Sequence, residues 1–217
     1  MKRLLAVFLL TFALAPAAFT QEANQKEAAL KLQPGAYYWT GSSWNLMDQI
    51  TAYGGSASHV ARMIVPGLVP QFALDFRDAR APVQVSDATP LFCFKFAVVP
   101  PGTPYAPYSP SGREIVVVRS GVPYMPSGRD IAITRLDQKK DHRELEVSSG
   151  NTMFTMKAGT DDKRLVDIEV TRLSADTFLV SPRVPLPQGE YLLNTLPYER
   201  SGFDFGFHPA TGSNSSH

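Results

Sequence analysis

Histidine is the side chain best suited to acid–base chemistry near neutral pH, and two histidines lie in contexts that could form a site. His59 stands in GGSASHVAR, where small residues could form a loop, and His208 follows FDFGF, four residues after Asp204. On one strand face, Asp204 and His208 would lie about 13 Å apart, too far to share a metal ion. A hydrolase that uses His59 or His208 is therefore one functional hypothesis.

Signature motifs of catalysis and metal binding are missing from the sequence. It contains no H-x-x-x-H, C-x-x-C, G-x-S-x-G or P-loop pattern. The acidic residues of DFRDAR (75–80) and TDD (160–162) are typical of solvated loops. The sequence therefore predicts a protein that is not an enzyme and has no metal and no cofactor.

A seven-residue motif occurs twice, in PYSPSGREIVV at 107–117 and in PYMPSGRDIAI at 123–133. Proline fixes φ, serine tolerates the next turn position and glycine supplies a positive φ. Each copy therefore predicts a type I turn with a glycine bulge before a strand. If the copies flank one strand, they lie about 23 Å apart and cannot form a single pocket. Turn chemistry leaves the tyrosine and the arginine of each copy unexplained.

Prolines recur at every third residue around the first copy, at Pro101, Pro104, Pro107 and Pro110. Polyproline II has three residues per turn, so these prolines would form one stripe beside a stripe of tyrosines. Such a segment either docks in the aromatic-lined groove of a partner or stiffens a loop at one end of the fold. We predict that the 100–113 loop contacts a protein or a cell-envelope partner. The residues predicted to bind it are Tyr105, Tyr108, Arg113, Tyr124 and Arg129.

An aromatic group at the start of the chain could stack on sugar rings. Tyr37 and Trp39 would share one strand face and Tyr38 the other, so part of the group must belong to the core. A carbohydrate-binding module that uses Tyr37, Trp39 or Trp44 is the alternative functional hypothesis.

Two further stretches carry reactive or charged side chains. In PLFCFKFAV, three phenylalanines alternate with other residues, which predicts a strand with Phe92, Phe94 and Phe96 in the core. Cys93, the single cysteine, is then a half-buried filler, with a reactive thiol or an intermolecular disulfide as the alternative. The stretch ITRLDQKKDHRELEV (133–147) predicts a charged hairpin that protects a sheet edge, or else a polar contact patch.

The elements that must position these residues are short strands between Gly, Pro, Ser and Asp clusters. No segment beyond the N-terminal region shows a sustained helical stripe, so we predict an all-β, single-domain antiparallel β-sandwich, Ig-like or jelly-roll-like, with a β-barrel as the alternative. The strands are predicted near 35–40, 43–48, 60–66, 70–76, 90–98, 114–120, 130–137, 142–148, 151–157, 165–171, 176–181, 189–196 and 201–207.

The N-terminal region has the three parts of a secretory signal peptide: Lys2 and Arg3, an apolar run over 4–14, and small residues at 15–17. Cleavage at residue 17 would remove two basic residues, changing 21 basic against 20 acidic residues to 19 against 20. This balance disfavours binding to nucleic acid or to anionic membrane. We predict export to the periplasm or beyond, with a signal peptide (1–20), a lead-in turn or spacer (21–33), a sandwich domain (34–208) and a disordered tail (209–217).

The phrases LQPGAYYW (32–39) and LPQGEYLLN (186–194) resemble the L-x-P-G-x-Y strand entries of uncharacterised exported bacterial β-sandwich proteins. RLDQKKDHRE (135–144) and FDFGF (203–207) extend that resemblance along the chain. The resemblance implies an exported sandwich without catalytic residues and brings no ligand. Our first hypothesis is therefore a noncatalytic, exported binding protein.

Overall fold

Short β-strands make up most of the fold. The computed structural model describes residues 22–53, 72–97, 118–119, 122–123, 128–152, 155–158, 162–195 and 201–209. Residues 22–30 are α-helical. The strands are β1 (Gly35–Trp39), β2 (Trp44–Leu46), β3 (Gln49–Thr51), β4 (Phe72–Arg77), β5 (Gln84–Val85), β6 (Phe92–Lys95), β7 (Val118–Arg119), β8 (Val122–Pro123), β9 (Ile131–Gln138), β10 (His142–Thr152), β11 (Thr155–Ala158), β12 (Ile168–Arg172), β13 (Thr177–Pro182), β14 (Gly189–Thr195) and β15 (Ser201–Phe207). Two 3₁₀-helices are η1 (Gly128–Asp130) and η2 (Asp162–Arg164).

One sheet has five strands in the order β12-β13-β6-β1-β2, and all its pairings are antiparallel. The central strand β6 is the phenylalanine strand, paired with β1 on one side and β13 on the other. Its β-branched and aromatic neighbours suit a pleated surface that is buried on at least one face.

The second sheet has eight strands and curls into a nearly closed barrel. Its main path is β11-β10-β9-β14-β15-β3, with β4 added beside β10 and β5 beside β15. The curl brings the two ends of the sheet together, at β3 and β4. The backbone N–H of Tyr53, just after β3, donates to the carbonyl of Asp75 on β4 at 3.0 Å. All pairings are antiparallel except the two-residue pairing of β5 with β15. The all-β antiparallel prediction is confirmed, and the fold combines sandwich packing with a curled sheet.

The main core lies between the five-stranded sheet and the outer wall of the barrel. Phe92 packs on Phe205 with ring centroids 4.6 Å apart, and Phe94 meets Phe203 edge-on at 5.7 Å. Phe96 belongs to the same buried cluster, so the predicted role of the three phenylalanines is confirmed. A second cluster fills the barrel itself and consists of Leu74, Phe76, Leu136, Leu145 and Leu192. On β9 and β14, odd-numbered residues such as Ile133 and Leu193 pack in the main core, whereas even-numbered residues such as Leu136 and Leu192 pack inside the barrel.

The N-terminal helix covers the other face of the five-stranded sheet. Ala29 is fully buried in a cluster with Tyr37, Cys93 and Leu179, and the carbonyl of Gln25 accepts a hydrogen bond from Trp44 Nε1 at 3.2 Å. The lead-in is therefore a docked helix rather than a flexible spacer. The helix is too short for a hydrophobic repeat in the sequence to identify it.

The second motif copy differs from its prediction. Gly128 begins the 3₁₀-helix η1 without the positive φ that the predicted glycine bulge requires. The residues of the predicted turn before it, 124–127, lie outside the described part of the chain. Glycine is needed there because a Cβ would lie 2.8 Å from Cγ1 of Val170. Strands β3, β5 and β8, of three, two and two residues, were not predicted. The first motif copy and the strand predicted at 60–66 lie outside the described residues.

Candidate functional site

A cleft of about 820 Å³ opens at one end of the barrel. The end of β9, the turn after it, the start of β14 and the residue after β15 meet there, because antiparallel neighbours bring alternate strand ends to one rim. Helix η2 joins them, since Leu165 bridges to Thr134 on β9. The lining residues are Arg135, Leu136, Asp137, Gln138, Lys139, Lys163, Arg164, Gln188, Gly189, Glu190 and His208.

Glycine at 189 lets a cationic side chain lie across the start of β14. A Cβ on Gly189 would stand 3.3 Å from Nε of Arg135. The Arg135 guanidinium donates to the carbonyl oxygen of Gln188 at 3.2 Å. This acceptor carries no charge, so the contact positions the guanidinium without neutralising it.

His208 is held at the floor of the cleft by two polar neighbours. Its Nε2 lies 2.7 Å from Glu190 Oε1, and its Nδ1 lies 3.0 Å from Gln188 Nε2. An amide nitrogen only donates, so Nδ1 accepts and Nε2 carries the proton toward Glu190. Both ring nitrogens are therefore used within the protein. His208 is a positioned side chain rather than one with a nitrogen turned to a substrate.

A buried ionic network lies beneath His208, inside the barrel. Arg143, Glu190 and Asp204 are 2%, 0% and 1% exposed. The Arg143 guanidinium donates to Asp204, lies 3.9 Å from Glu190 and donates to the carbonyls of Asp78 and Arg77 at 3.0 and 2.7 Å. Glu190 also accepts from the backbone N–H of Ala81 at 2.7 Å. Burial raises the pKa of Asp204, and the adjacent Arg143 opposes that shift.

The rim of the cleft is basic. Arg135, Lys139, Lys163 and Arg164 stand against Asp137 and Glu190 among the lining residues, four basic side chains against two acidic ones. Arg164 is paired with Asp137, which also lines the cleft, at 2.8 Å and with Glu146 at 3.2 Å. The hydrogen bond from Arg164 lowers the pKa of Asp137 below its usual range and keeps it ionised.

A second polar cluster lies on the outer face of the β4–β10 ribbon. Glu144 stands directly opposite Asp75 in the register of the two strands, and His142 is two residues earlier on the same face. Ligand-type atoms of Asp75, His142 and Glu144 all lie within 4.8 Å of one another. This is the one grouping of His, Cys, Asp and Glu with metal-binding geometry among the residues that the structure describes. His142 and Glu144 belong to the hairpin that the sequence predicted to be charged, whereas Asp75 lies on the neighbouring strand β4.

Of the predicted site residues that the structure describes, His208 lines this cleft, whereas Arg129 and the three aromatic residues do not. Arg129 is exposed on η1 and does not line the cleft. Trp39 and Trp44 are half-buried and pack against each other at 5.2 Å, while Tyr37 is buried. The predicted residues outside the described part of the chain are His59, Tyr105, Tyr108, Arg113 and Tyr124.

Cys93 is fully buried, more deeply than predicted, beneath the N-terminal helix. Burial raises the pKa of its thiol to about 12, so the thiolate that a reactive cysteine needs is disfavoured at neutral pH.

The sequence pointed to His208 but not to Arg143, Glu190 or Gln188. A signal existed in GFDFGF, where Asp204 shares its strand face with Gly202 and Gly206 and alternates with three phenylalanines. Small residues flanking a charge on an otherwise apolar strand indicate a buried polar contact. Its partner on another strand was not identifiable from the sequence.

Within the described ranges, no helix combines the length and the apolar composition of a membrane span. No family model matches the chain, and no curated protein or solved structure shows significant similarity to it.

Proposed function

We propose that this chain is an exported, noncatalytic binding protein whose cleft at the barrel end takes an anionic ligand of the cell envelope. The observation that carries the proposal is the excess of basic side chains around the cleft. The whole chain has 21 basic and 20 acidic residues, whereas the cleft has four basic and two acidic ones. The residues that line the cleft therefore include more basic than acidic side chains, of which Lys139 and Arg164 are already paired with the acids Glu144 and Asp137.

The size and construction of the cleft support a ligand rather than a macromolecular surface. Its volume of about 820 Å³ lies in the range of small-molecule sites, roughly 300–1,000 Å³. Arg135 and Lys139 come from the β9–β10 hairpin and Lys163 from η2, so separate segments converge on one space. Basic groups around a concave surface reinforce one another electrostatically for a ligand with several carboxylates or phosphates.

The polar groups on the floor of the cleft favour binding over catalysis. Both nitrogens of His208 are hydrogen-bonded to Gln188 and Glu190, so neither ring nitrogen is turned outward as a general base. Among the described residues that line the cleft, there is no serine, threonine or cysteine that could act as a nucleophile. A hydrolase with His208 in its site is therefore the less favoured proposal.

Calorimetric titration with three anionic probes tests the proposal: inorganic phosphate, citrate and an oligogalacturonate. We expect saturable binding of at least one probe, weakened as salt rises from about 0.05 to 0.5 M because the contacts are charged and partly exposed. Arg135→Gln should weaken binding about tenfold, equivalent to about 1.4 kcal/mol.

Arg172→Gln is the matched control, because Arg172 is an exposed arginine on β12 outside the cleft. It should leave the affinity unchanged. If no probe binds, or if Arg172→Gln weakens binding as much as Arg135→Gln, the proposed function is wrong.

The sequence hypotheses of partner contact through the 100–113 loop and of sugar stacking remain predictions. The indole N–H of Trp44 donates to the N-terminal helix, and its ring packs edge-on against Trp39. The two half-buried rings are the surface on which a sugar would stack. The cleft offers more converging polar groups than this pair, so it is the site that we favour.

A further inference from the structure

We propose that Asp75, His142 and Glu144, on the outer face of the β4–β10 ribbon, form a binding site for a divalent transition-metal ion, Zn²⁺ foremost. This site lies beside the cleft proposed to bind an anion and takes its ligands from other residues, although Lys139 lines the cleft and also contacts Glu144. It is built from one cross-strand pair and one residue two positions away, the arrangement that places three side chains over one spot on a sheet.

The spacing of the three side chains fits a metal ion. Their ligand-type atoms lie within 4.8 Å of one another, and His142 Nε2 is 3.0 Å from Glu144 Oε1. Zinc bonds to nitrogen and oxygen are about 2.0–2.2 Å long, so two ligand atoms in tetrahedral geometry stand roughly 3.4 Å apart. To bind the ion, the ligand atoms would move by a few tenths of an ångström to about 1 Å through side-chain rotation. The strand register would not change.

The charges on this face favour a cation between the carboxylates. Asp75 is 7% exposed and the Glu144 side chain 13%, and like charges directly opposite on paired strands destabilise a sheet. Lys139 Nζ lies 3.2 Å from Glu144 Oε2, and Arg77 is the cross-strand partner of His142. Lys139 is monovalent and contacts Glu144, whereas a divalent ion would contact both carboxylates and the imidazole together.

A fourth side chain orients the imidazole. His142 Nδ1 lies 2.6 Å from Asp141 Oδ1, which fixes the ring with Nε2 toward Glu144. A carboxylate behind a histidine ligand is the usual support of protein metal sites. One imidazole and two carboxylates suit Zn²⁺ or Mn²⁺, whereas Ca²⁺ and Mg²⁺ prefer oxygen ligands alone.

Calorimetric titration of the full chain, stripped with EDTA, tests the site with Zn²⁺, Mn²⁺, Ca²⁺ and Mg²⁺ in the absence of any anionic probe. We expect one Zn²⁺ per chain and no saturable binding of Ca²⁺ or Mg²⁺. His142→Ala, Asp75→Asn and Glu144→Gln should each weaken Zn²⁺ binding by about 100-fold or more, because each removes a ligand. Asp141→Asn should weaken it by roughly tenfold, as for a residue that orients a ligand.

Asp167→Asn is the matched control, because Asp167 is an exposed acid before β12 that pairs only loosely with Arg183. It should bind Zn²⁺ as the unmodified chain does. Circular dichroism of every variant establishes that it is folded, and His142→Gln replaces His142→Ala if the latter is not. Absence of Zn²⁺ binding, or equal binding by the three ligand variants and Asp167→Asn, would overturn the proposal. Because no anion is present, either result is distinguishable from failure of the cleft proposal.

Discussion

The two faces of the β4–β10 ribbon carry charged clusters that are balanced in different ways. The inward face holds Arg143 against Asp204 and Glu190, with backbone carbonyls of Arg77 and Asp78 completing its contacts. The outward face holds Asp75, His142 and Glu144, where two carboxylates meet one imidazole. Residues 143 and 144 are neighbours in sequence but belong to opposite faces, because side chains alternate along a strand.

The comparison distinguishes charges that hold strands together in the interior from charges that are partly exposed on the outer face. A guanidinium has five N–H donors in a fixed fork, and the inward cluster uses it to join two strands to the turn after β4. Such a cluster is sealed from water and specifies one arrangement. The outward cluster has two carboxylates and one imidazole at its centre, and His142 and Glu144 keep partial exposure, which is why we propose it as an ion-binding site.

The largest expected effect comes from breaking the inward cluster. Arg143→Ala should lower the free energy of unfolding by about 3–5 kcal/mol, because it leaves the buried carboxylates of Asp204 and Glu190 without their cation. Urea denaturation measures the loss. Arg172→Ala should change stability by less than about 1 kcal/mol, because its contacts with Ser174 and the Phe178 ring are made by an exposed side chain. A loss below 1 kcal/mol for Arg143→Ala would mean that the inward network is not structural.

A smaller effect is expected one residue further along, on the outward face. Glu144→Gln should change the free energy of unfolding of metal-free protein by less than about 1 kcal/mol. It loses ion pairs with Lys139 and His142 but also relieves the repulsion between Glu144 and Asp75. Denaturation in EDTA measures it beside Arg143→Ala. Equal losses for the two variants would remove the distinction between the faces.

The smallest effect concerns acid stability at the rim of the cleft. Arg164 lowers the pKa of Asp137 from its ordinary value of 3.8, so this ion pair stabilises the fold above that pH. The stabilisation is lost as the pH falls below 3.8 through the folded-state pKa, because the unfolded chain takes up the proton first. Asp137→Asn should therefore lower stability at pH 7 by less than about 1 kcal/mol, since the pair is partly exposed.

Thermal unfolding of the two proteins at pH 7 and near pH 2 checks this prediction. The difference between wild type and Asp137→Asn should narrow at the lower pH. A difference that stays constant across this range would show that Asp137 acts through packing and not through its charge.

Strand positions were largely predictable, whereas the sites were not. The observed strands at 35–39, 72–77, 131–138, 189–195 and 201–207 agree with the predicted ones to within a few residues, because alternation and turn chemistry are local. Three short strands, β3, β5 and β8, were missed because two or three residues give no periodic pattern. The sequence did not predict the helix at 22–30, because the face that packs on the sheet contains too few residues to give a pattern.

The candidate sites could be predicted only in part. His208 and the charged hairpin stood out by residue type, but the partners that define their chemistry come from other strands. Glu190 meets His208 across β14 and β15, and Asp75 meets Glu144 across β4 and β10. A shift of one residue in either register would turn these side chains to opposite faces.

The sequence by itself determined that this chain folds into short antiparallel strands with phenylalanines in its core. Those properties follow from residue type and spacing over five to ten positions. Only the tertiary structure decided that the eight-stranded sheet curls and that Arg143 meets Asp204, 61 residues further along the chain. The physical reason is that a buried charge needs a partner, and strand pairing chooses that partner from distant parts of the sequence.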